Sequence, residues 1–123
     1  MEALSVGMYV RHKTLLSSKY VKINKIKEIE EKENCLHIWL EDKDLITEKY
    51  LIKASYNITD ILERGDYVST ITGECAVIAG VYNDINSKKY LRLCNCIGEY
   101  YEDDIKSVVT KEQYEQMAYK VEE

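Results

Sequence analysis

The sequence predicts a mainly β protein: two small SH3-like β-barrel units in tandem, packed together and followed by a short C-terminal α-helix. Three observations predict it. The chain repeats itself internally, and internal repeats decide an architecture before any single element does. Short segments alternate apolar and polar residues with period two, the mark of a strand with one buried face. Each half also opens on Gly-x-Tyr-Val, with turn signals spaced as in small all-β folds.

The repeat is legible residue by residue. Leu4 to Val10 returns as Leu62 to Val68, with Gly7, Tyr9 and Val10 matched by Gly65, Tyr67 and Val68. Ile23 and Ile26 align with Ile78 and Val81, and Leu36 and Ile38 with Leu91 and Leu93. Ile52-Lys53-Ala54 aligns with Ile105-Lys106-Ser107. The units therefore run over residues 1–57 and 58–109, with the helix at 110–123. Units of this size are marginal alone, because surface outweighs core, so a shared core is expected. The join from Asn57 to Leu62 is short and contains apolar residues. It does not read as a flexible linker.

Within each unit the elements follow in order. The glycine supplies a positive-φ turn, and the first strand lies around Tyr9-Val10 or Tyr67-Val68. The second strand spans Tyr20 to Ile29, or Glu74 to Tyr82. Polar loops, Glu30 to Asn34 and Asn83 to Lys89, read as hairpin connections. The third strand is Leu36 to Leu40, or Leu91 to Cys94. At the end, Thr110 caps a helix and Gln113 completes a capping box. Val109 and Tyr114 are placed for a hydrophobic staple. Tyr114, Met117, Ala118 and Val121 form one apolar face, which a helix this short needs to dock.

Composition bounds the function. The chain has 123 residues, a formal charge of −5 and no proline. No apolar run approaches the roughly 20 residues of a membrane span. The N-terminus lacks a signal-peptide pattern, so a cytoplasmic protein with reduced thiols is expected. No membrane partner is expected. An acidic chain is an unusual nucleic-acid coat. Charge is uneven, however: residues 1–61 hold ten basic and ten acidic residues, and 62–123 hold seven basic and twelve acidic. Arg11, Lys13, Lys19, Lys22, Lys25 and Lys27 form a basic run without an acid. Such a strip can touch phosphate, or be no more than a solvated face.

Cys35, Cys75, Cys94 and Cys96 offer no Cys-x-x-Cys spacing, and no metal or other cofactor is expected. Cys94 and Cys96 share a face if both lie on a strand. Phosphate-binding, dinucleotide, zincin and nucleophile-elbow motifs are all missing. Asp103 and Asp104 point to opposite faces of a strand, which makes a poor dyad. A non-enzymatic protein is expected.

The candidate binding residues are outward positions. With Leu36, Ile38 and Leu40 facing a core, Cys35, His37 and Trp39 face out, as do Tyr90, Arg92 and Cys94 in the second unit. Trp39 is the single Trp of a chain with eleven Tyr and no Phe. Aromatic and Arg side chains dominate binding hot spots, although Trp39 and Tyr90 can equally be buried between the units. Tyr100 and Tyr101 add a second candidate, since one of two neighbours on a strand points outward. Arg92 with Tyr90, or Lys22 and Lys25 with Trp39, pairs a cation for phosphate with a ring for base stacking.

Two segments carry a resemblance. Ile58 to Val68 and Asp104 to Tyr114 together resemble a family of small proteins encoded by phages and prophages of low-GC Gram-positive bacteria. The resemblance covers mainly residues 58–120; in the first unit only Gly7, Tyr9 and Val10 match. It transfers no activity or catalytic residue. It implies an accessory phage gene acting inside a bacterium; together with the missing enzyme motifs, the expectation is a counter-defence protein that binds a host immune effector or sequesters a nucleotide signal. The alternatives are a nucleic-acid-binding accessory protein using the 11–27 strip, and a small structural or assembly adaptor of the virion. A homodimer is compatible with exposed strand edges.

Overall fold

The computed structural model describes residues 4–14 and 21–115. The protein is mainly β, with two antiparallel sheets and one short helix. The chain divides into two compact units, Met1–Asn57 and Ile58–Glu123.

The first unit holds β1 (Tyr9–Lys13), β2 (Val21–Lys32), β3 (Cys35–Leu40), β4 (Leu45–Thr47) and β5 (Leu51–Ser55). They form one sheet in the order β4-β3-β2-β1-β5. The long β2 pairs with β1 through its first half and with β3 through its second. The handover falls at an irregularity between Ile26 and Glu28, where an extra residue bends the strand. A 3-10 turn, Glu48–Tyr50, leads into β5. Met8, Val10, Ile26, Ile38, Leu40 and Ile46 make the core, with Leu4, Ile29, Tyr50, Leu51 and Ala54 packed against it. Each fully buried aliphatic side chain of this kind contributes about 1.5–3 kcal/mol.

The second unit holds β6 (Tyr67–Thr70), β7 (Cys75–Asn83), β8 (Lys89–Leu93) and β9 (Ile105–Val109), in the order β8-β7-β6-β9. Where the first unit has β4, this one has a single antiparallel bridge, Leu91 with Tyr100. Its buried apolar residues are Ile61, Leu62, Val68, Ile78, Leu91 and Leu93. Ile61 and Leu62 come from the segment that joins the units, so that segment is built into this core. The expected closed five-stranded barrels are not found. The first sheet ends on β4 and β5, and the second has four strands and ends on β8 and β9.

The two openings are bonded alike. Gly7 N–H donates to the Ile26 carbonyl at 2.9 Å, and Gly65 N–H to the Ile78 carbonyl at 3.0 Å. Ile26 N–H donates to Met8 at 2.8 Å, and Ile78 N–H to Asp66 at 2.7 Å. Both glycines hold φ near the left-handed region, +93° and +99°, which a side chain would strain. These bonds correct the sequence alignment: Ile26 corresponds to Ile78, not to Val81. Ile26 faces Leu40 and Ile78 faces Leu93, so Trp39 corresponds to Arg92 and His37 to Tyr90. Likewise Leu51 corresponds to Ile105, since they pair with His12 and Thr70.

Three further expectations are corrected. Glu30 to Lys32 are strand, not loop; β2 and β3 are joined by the two-residue turn Glu33-Asn34, at φ +53° and +64°. That is the left-handed pair a tight hairpin needs, and Asn tolerates it well. Strand β8 stops at Leu93, because Asn95 at φ +63° turns the chain. Cys94 and Cys96 therefore do not share a strand face, and all four cysteines are free. Arg11 is not part of a surface strip, being only 1% exposed.

The capping box forms: Thr110 N–H donates to Gln113 Oε1, and Gln113 N–H to Thr110 Oγ1, each at 3.1 Å. Residues 111–115 are helical. Tyr114 stacks on Tyr67, ring centroids 4.8 Å apart, and Tyr67 is the cross-strand partner of Val109. Met117, Ala118 and Val121 lie outside the described residues, as does Lys19.

Candidate functional site

Three of the predicted residues, Tyr90, Arg92 and Tyr101, come together on the second unit. Strands β7 and β8 flank a loop at residues 84–88, and their register sets Tyr82 opposite Tyr90 and Gly80 opposite Arg92. Alternation puts all four on one face of the hairpin. The Tyr82 and Tyr90 ring centroids lie 5.8 Å apart at 33°, and those of Tyr90 and Tyr101 5.8 Å apart at 50°. These are the tilted arrangements that aromatic quadrupoles favour. The Arg92 guanidinium stands 6.0 Å from the Tyr90 centroid, and Lys88 Nζ 5.2 Å from that of Tyr101. Both distances allow cation–π attraction.

The face is held from below by two devices. Gly80 is the first. A β-carbon built there would lie 2.5 Å from the Tyr82 hydroxyl oxygen and 2.7 Å from Cζ. The missing side chain thus lets the Tyr82 ring fold back along its own strand. Tyr82 still keeps 49% of its surface exposed.

Asp84 is the second device. Its Oδ1 accepts the N–H groups of Asn86 at 2.8 Å and Lys88 at 2.9 Å, and its Oδ2 accepts the Tyr101 hydroxyl at 3.1 Å. One carboxylate therefore folds the loop and anchors a ring. The Lys88 N–H, and then those of Asn86 and the Tyr101 hydroxyl, hold the Asp84 carboxyl below its ordinary range. Burial, and then the hydrogen bond to Asp84, pushes the Tyr101 phenol up. Ile85, at the crest of the same loop, is fully exposed.

Tyr100 points away from this cluster. Its backbone pairs with Leu91, and its ring atoms lie 3.9 Å from the position of a β-carbon on Gly98. Burial, and then the charge of Glu74, raises its phenol.

His37 and Trp39 lie on β3 of the first unit. Trp39 is 38% exposed, on the outward side, as alternation predicts. Its cross-strand neighbours are Glu28 and Leu45, and those of His37 are Glu30 and Thr47. The positions that carry Gly80 and Tyr82 in the second unit thus carry glutamates in the first. Lys22 and Lys25 do not join Trp39. Lys22 lies 3.8 Å from both Asp42 and Asp44, and Lys25 stands over the Tyr9 ring at 5.4 Å.

Tyr82, Lys88 and Asp84 were missed by sequence reasoning. The signal for Tyr82 was the symmetry of the hairpin: Tyr82 and Tyr90 immediately flank the predicted loop, Asn83 to Lys89, and so must face each other. Among the described residues, no three metal-ligating side chains gather, and no helix is long and apolar enough to cross a membrane.

No protein-family model, no curated protein and no solved structure matches this chain.

Proposed function

We propose that this chain is a non-enzymatic binding protein of a phage or prophage, acting inside the bacterial cell in counter-defence, and that it captures its host target on the tyrosine face of the second unit. The observation that carries the reading is the cluster of Tyr82, Tyr90 and Tyr101 with Arg92 and Lys88 over two of the rings. Tyrosine and arginine offer large, rigid contact area at low entropic cost, and they concentrate at interface hot spots. The phage setting rests on the resemblance over residues 58–120.

We read the two units as repeats of one SH3-like module. The matching hydrogen bonds of Gly7 and Gly65 support that, as do the 3-10 turns that precede β5 and β9. On this reading one copy kept a cation at its third strand, Arg92, while the other carries Trp39 among glutamates.

The test is infection. A low-GC Gram-positive host with an active defence system is challenged with phage while expressing the wild-type protein or a Tyr90→Ala/Arg92→Ala variant. Wild type is expected to restore plaque formation and the variant to lose that effect. Equal plaquing with both, or recovery of the protein as a stoichiometric virion component, overturns the proposal.

A further inference from the structure

We infer that the tyrosine face of the second unit takes a short nucleotide, a base carrying one or two phosphates, and not a nucleic-acid strand. The inference rests on the reading that this face is the binding surface, and it names the ligand class.

The rings supply the base site. Tyr82 lies folded over Gly80 and still keeps about half of its surface exposed. Tyr90 and Tyr101 continue from it in steps of 5.8 Å. A planar, electron-poor base stacks on such a surface whatever its identity. The folded-back ring is pre-set, so little rotamer freedom is left to lose on binding.

The cations supply the phosphate site, and their number limits it. Arg92 and Lys88 stand at the ring faces. Among the described residues neither has a carboxylate within ion-pair distance. Lys89, next in the chain, is engaged by Asp60 at 3.1 Å. Two cations match one or two phosphates, with Arg92 suited to bidentate contact.

The surroundings then exclude a strand. The described residues 58–115 carry eleven Asp and Glu against six Lys and Arg. Asp84 and Glu99 act directly on Tyr101, so a backbone leaving the site in that direction meets negative charge. Affinity for a polymer grows with the phosphates neutralised, and each additional phosphate here finds carboxylate instead of cation. A short anion collects both cations and stops.

The experiment is isothermal titration of the full chain with AMP, ADP, a cyclic dinucleotide, adenosine, inorganic pyrophosphate and a twelve-residue oligothymidylate. At least one of the three nucleotides is expected to bind ten-fold or more tightly than adenosine and pyrophosphate, with a shallow salt dependence. Tyr90→Ala and Arg92→Gln should each weaken it about ten-fold or more, with the unfolding temperature checked for each. Lys32→Ala, on the first unit, should leave it unchanged.

Millimolar or weaker binding of every nucleotide overturns the inference, as does tighter binding of the oligonucleotide, or indifference to both Tyr90→Ala and Arg92→Gln. These failures are separable from failure of the binding reading. A face variant that abolishes the infection effect while no nucleotide binds defeats only the ligand class, leaving a protein target. A nucleotide that binds while the face variant infects like wild type defeats only counter-defence.

Discussion

The carboxylate of Asp66 accepts the backbone N–H of Lys111 at 2.9 Å through one oxygen and that of Glu63 at 2.8 Å through the other. Asp66 is fully buried, and Lys111 opens the helical segment. The N–H groups of a first helical turn have no partner within the helix, and an anion there also meets the positive end of the helix dipole. Asp66 therefore ties the turn of Gly65 to the start of the helix. Asp66→Ala leaves two donors without this acceptor, at about 1–3 kcal/mol each, so a loss of about 2–6 kcal/mol is expected by urea unfolding. Asp66→Asn retains one acceptor oxygen and should fall between. An unchanged midpoint for both variants would refute the tie. In the first unit the same place holds Met8, whose sulfur takes the Ser5 N–H at 3.2 Å.

Gly80 and Tyr82 make a second testable pair. Gly80 sits within β7, and no positive φ requires glycine there. Alanine would suit the strand by about 0.5–1 kcal/mol, but its β-carbon would meet the Tyr82 ring at 2.5–2.8 Å. Gly80→Ala is expected to displace the ring while changing stability by no more than about 1 kcal/mol. In a Tyr82→Ala background the same change should be neutral or stabilising. Urea unfolding of the four proteins in that double-mutant cycle gives the coupling. A coupling near zero would mean that the glycine serves something other than the tyrosine.

Much of this was legible beforehand, and what was not has identifiable causes. Period-two alternation placed β3 and β8 and put Trp39 and Arg92 outward, because alternation depends only on local backbone geometry. Bulges are invisible to it. The irregularities after Ile26 and Ile78 fall at matching places and cancel; the match drifts to Val81 because the stretch from Gly7 to Ile26 is six residues longer than that from Gly65 to Ile78. Charge misled twice. Glu30, Glu31 and Lys32 looked like a loop, yet the far half of β2 exposes much of its surface and tolerates charge. Arg11 looked like a surface cation and is buried. Of the site, Tyr90, Arg92 and Tyr101 were recognisable by residue type. Tyr82 needed the hairpin register. Asp84 and Lys88 needed the loop closure that the carboxylate creates, and no pattern of residue types announces it.

His12, in the first unit, predicts a pH effect. It is fully buried, with Nδ1 2.9 Å from the Lys13 carbonyl and Nε2 2.8 Å from Asn24 Nδ2. A neutral ring with its proton on Nδ1 satisfies both: it donates to the carbonyl and accepts from the amide. Burial holds its pKa below the ordinary value of 6.5. The unfolded chain therefore binds the proton more readily than the folded one. Stability that is present above pH 6.5 is lost as the pH falls toward the folded value. Unfolding midpoints measured from pH 8 to pH 5 should decline, and His12→Gln should flatten that decline. A steeper decline in the variant would reverse the assignment.

Asp84 links the loop at residues 84–88 to the tyrosine face. Its folded pKa is lowered, chiefly by the Lys88 N–H, below an unfolded value of about 3.9. Its contribution is present above pH 4 and disappears as the pH falls through the folded value. Below that point the carboxyl can still accept, but more weakly, and the loop at residues 84–88 loosens together with Tyr101. Asp84→Asn should reproduce this loosening at neutral pH. Removing the carboxylate also removes part of what raises the Tyr101 phenol, while burial, the larger cause, remains. The Tyr101 ring should therefore ionise at a lower pH in the variant than in the wild type. Carbon-13 NMR of the tyrosine ζ-carbons, with Tyr101→Phe to assign the signal, reads that shift directly. Faster exchange of the Asn86 and Lys88 amide protons should accompany it, because both lose their charged acceptor. Unchanged exchange at these two amides, with an unmoved Tyr101 titration, would show that Asp84 neither closes the loop nor steadies the ring.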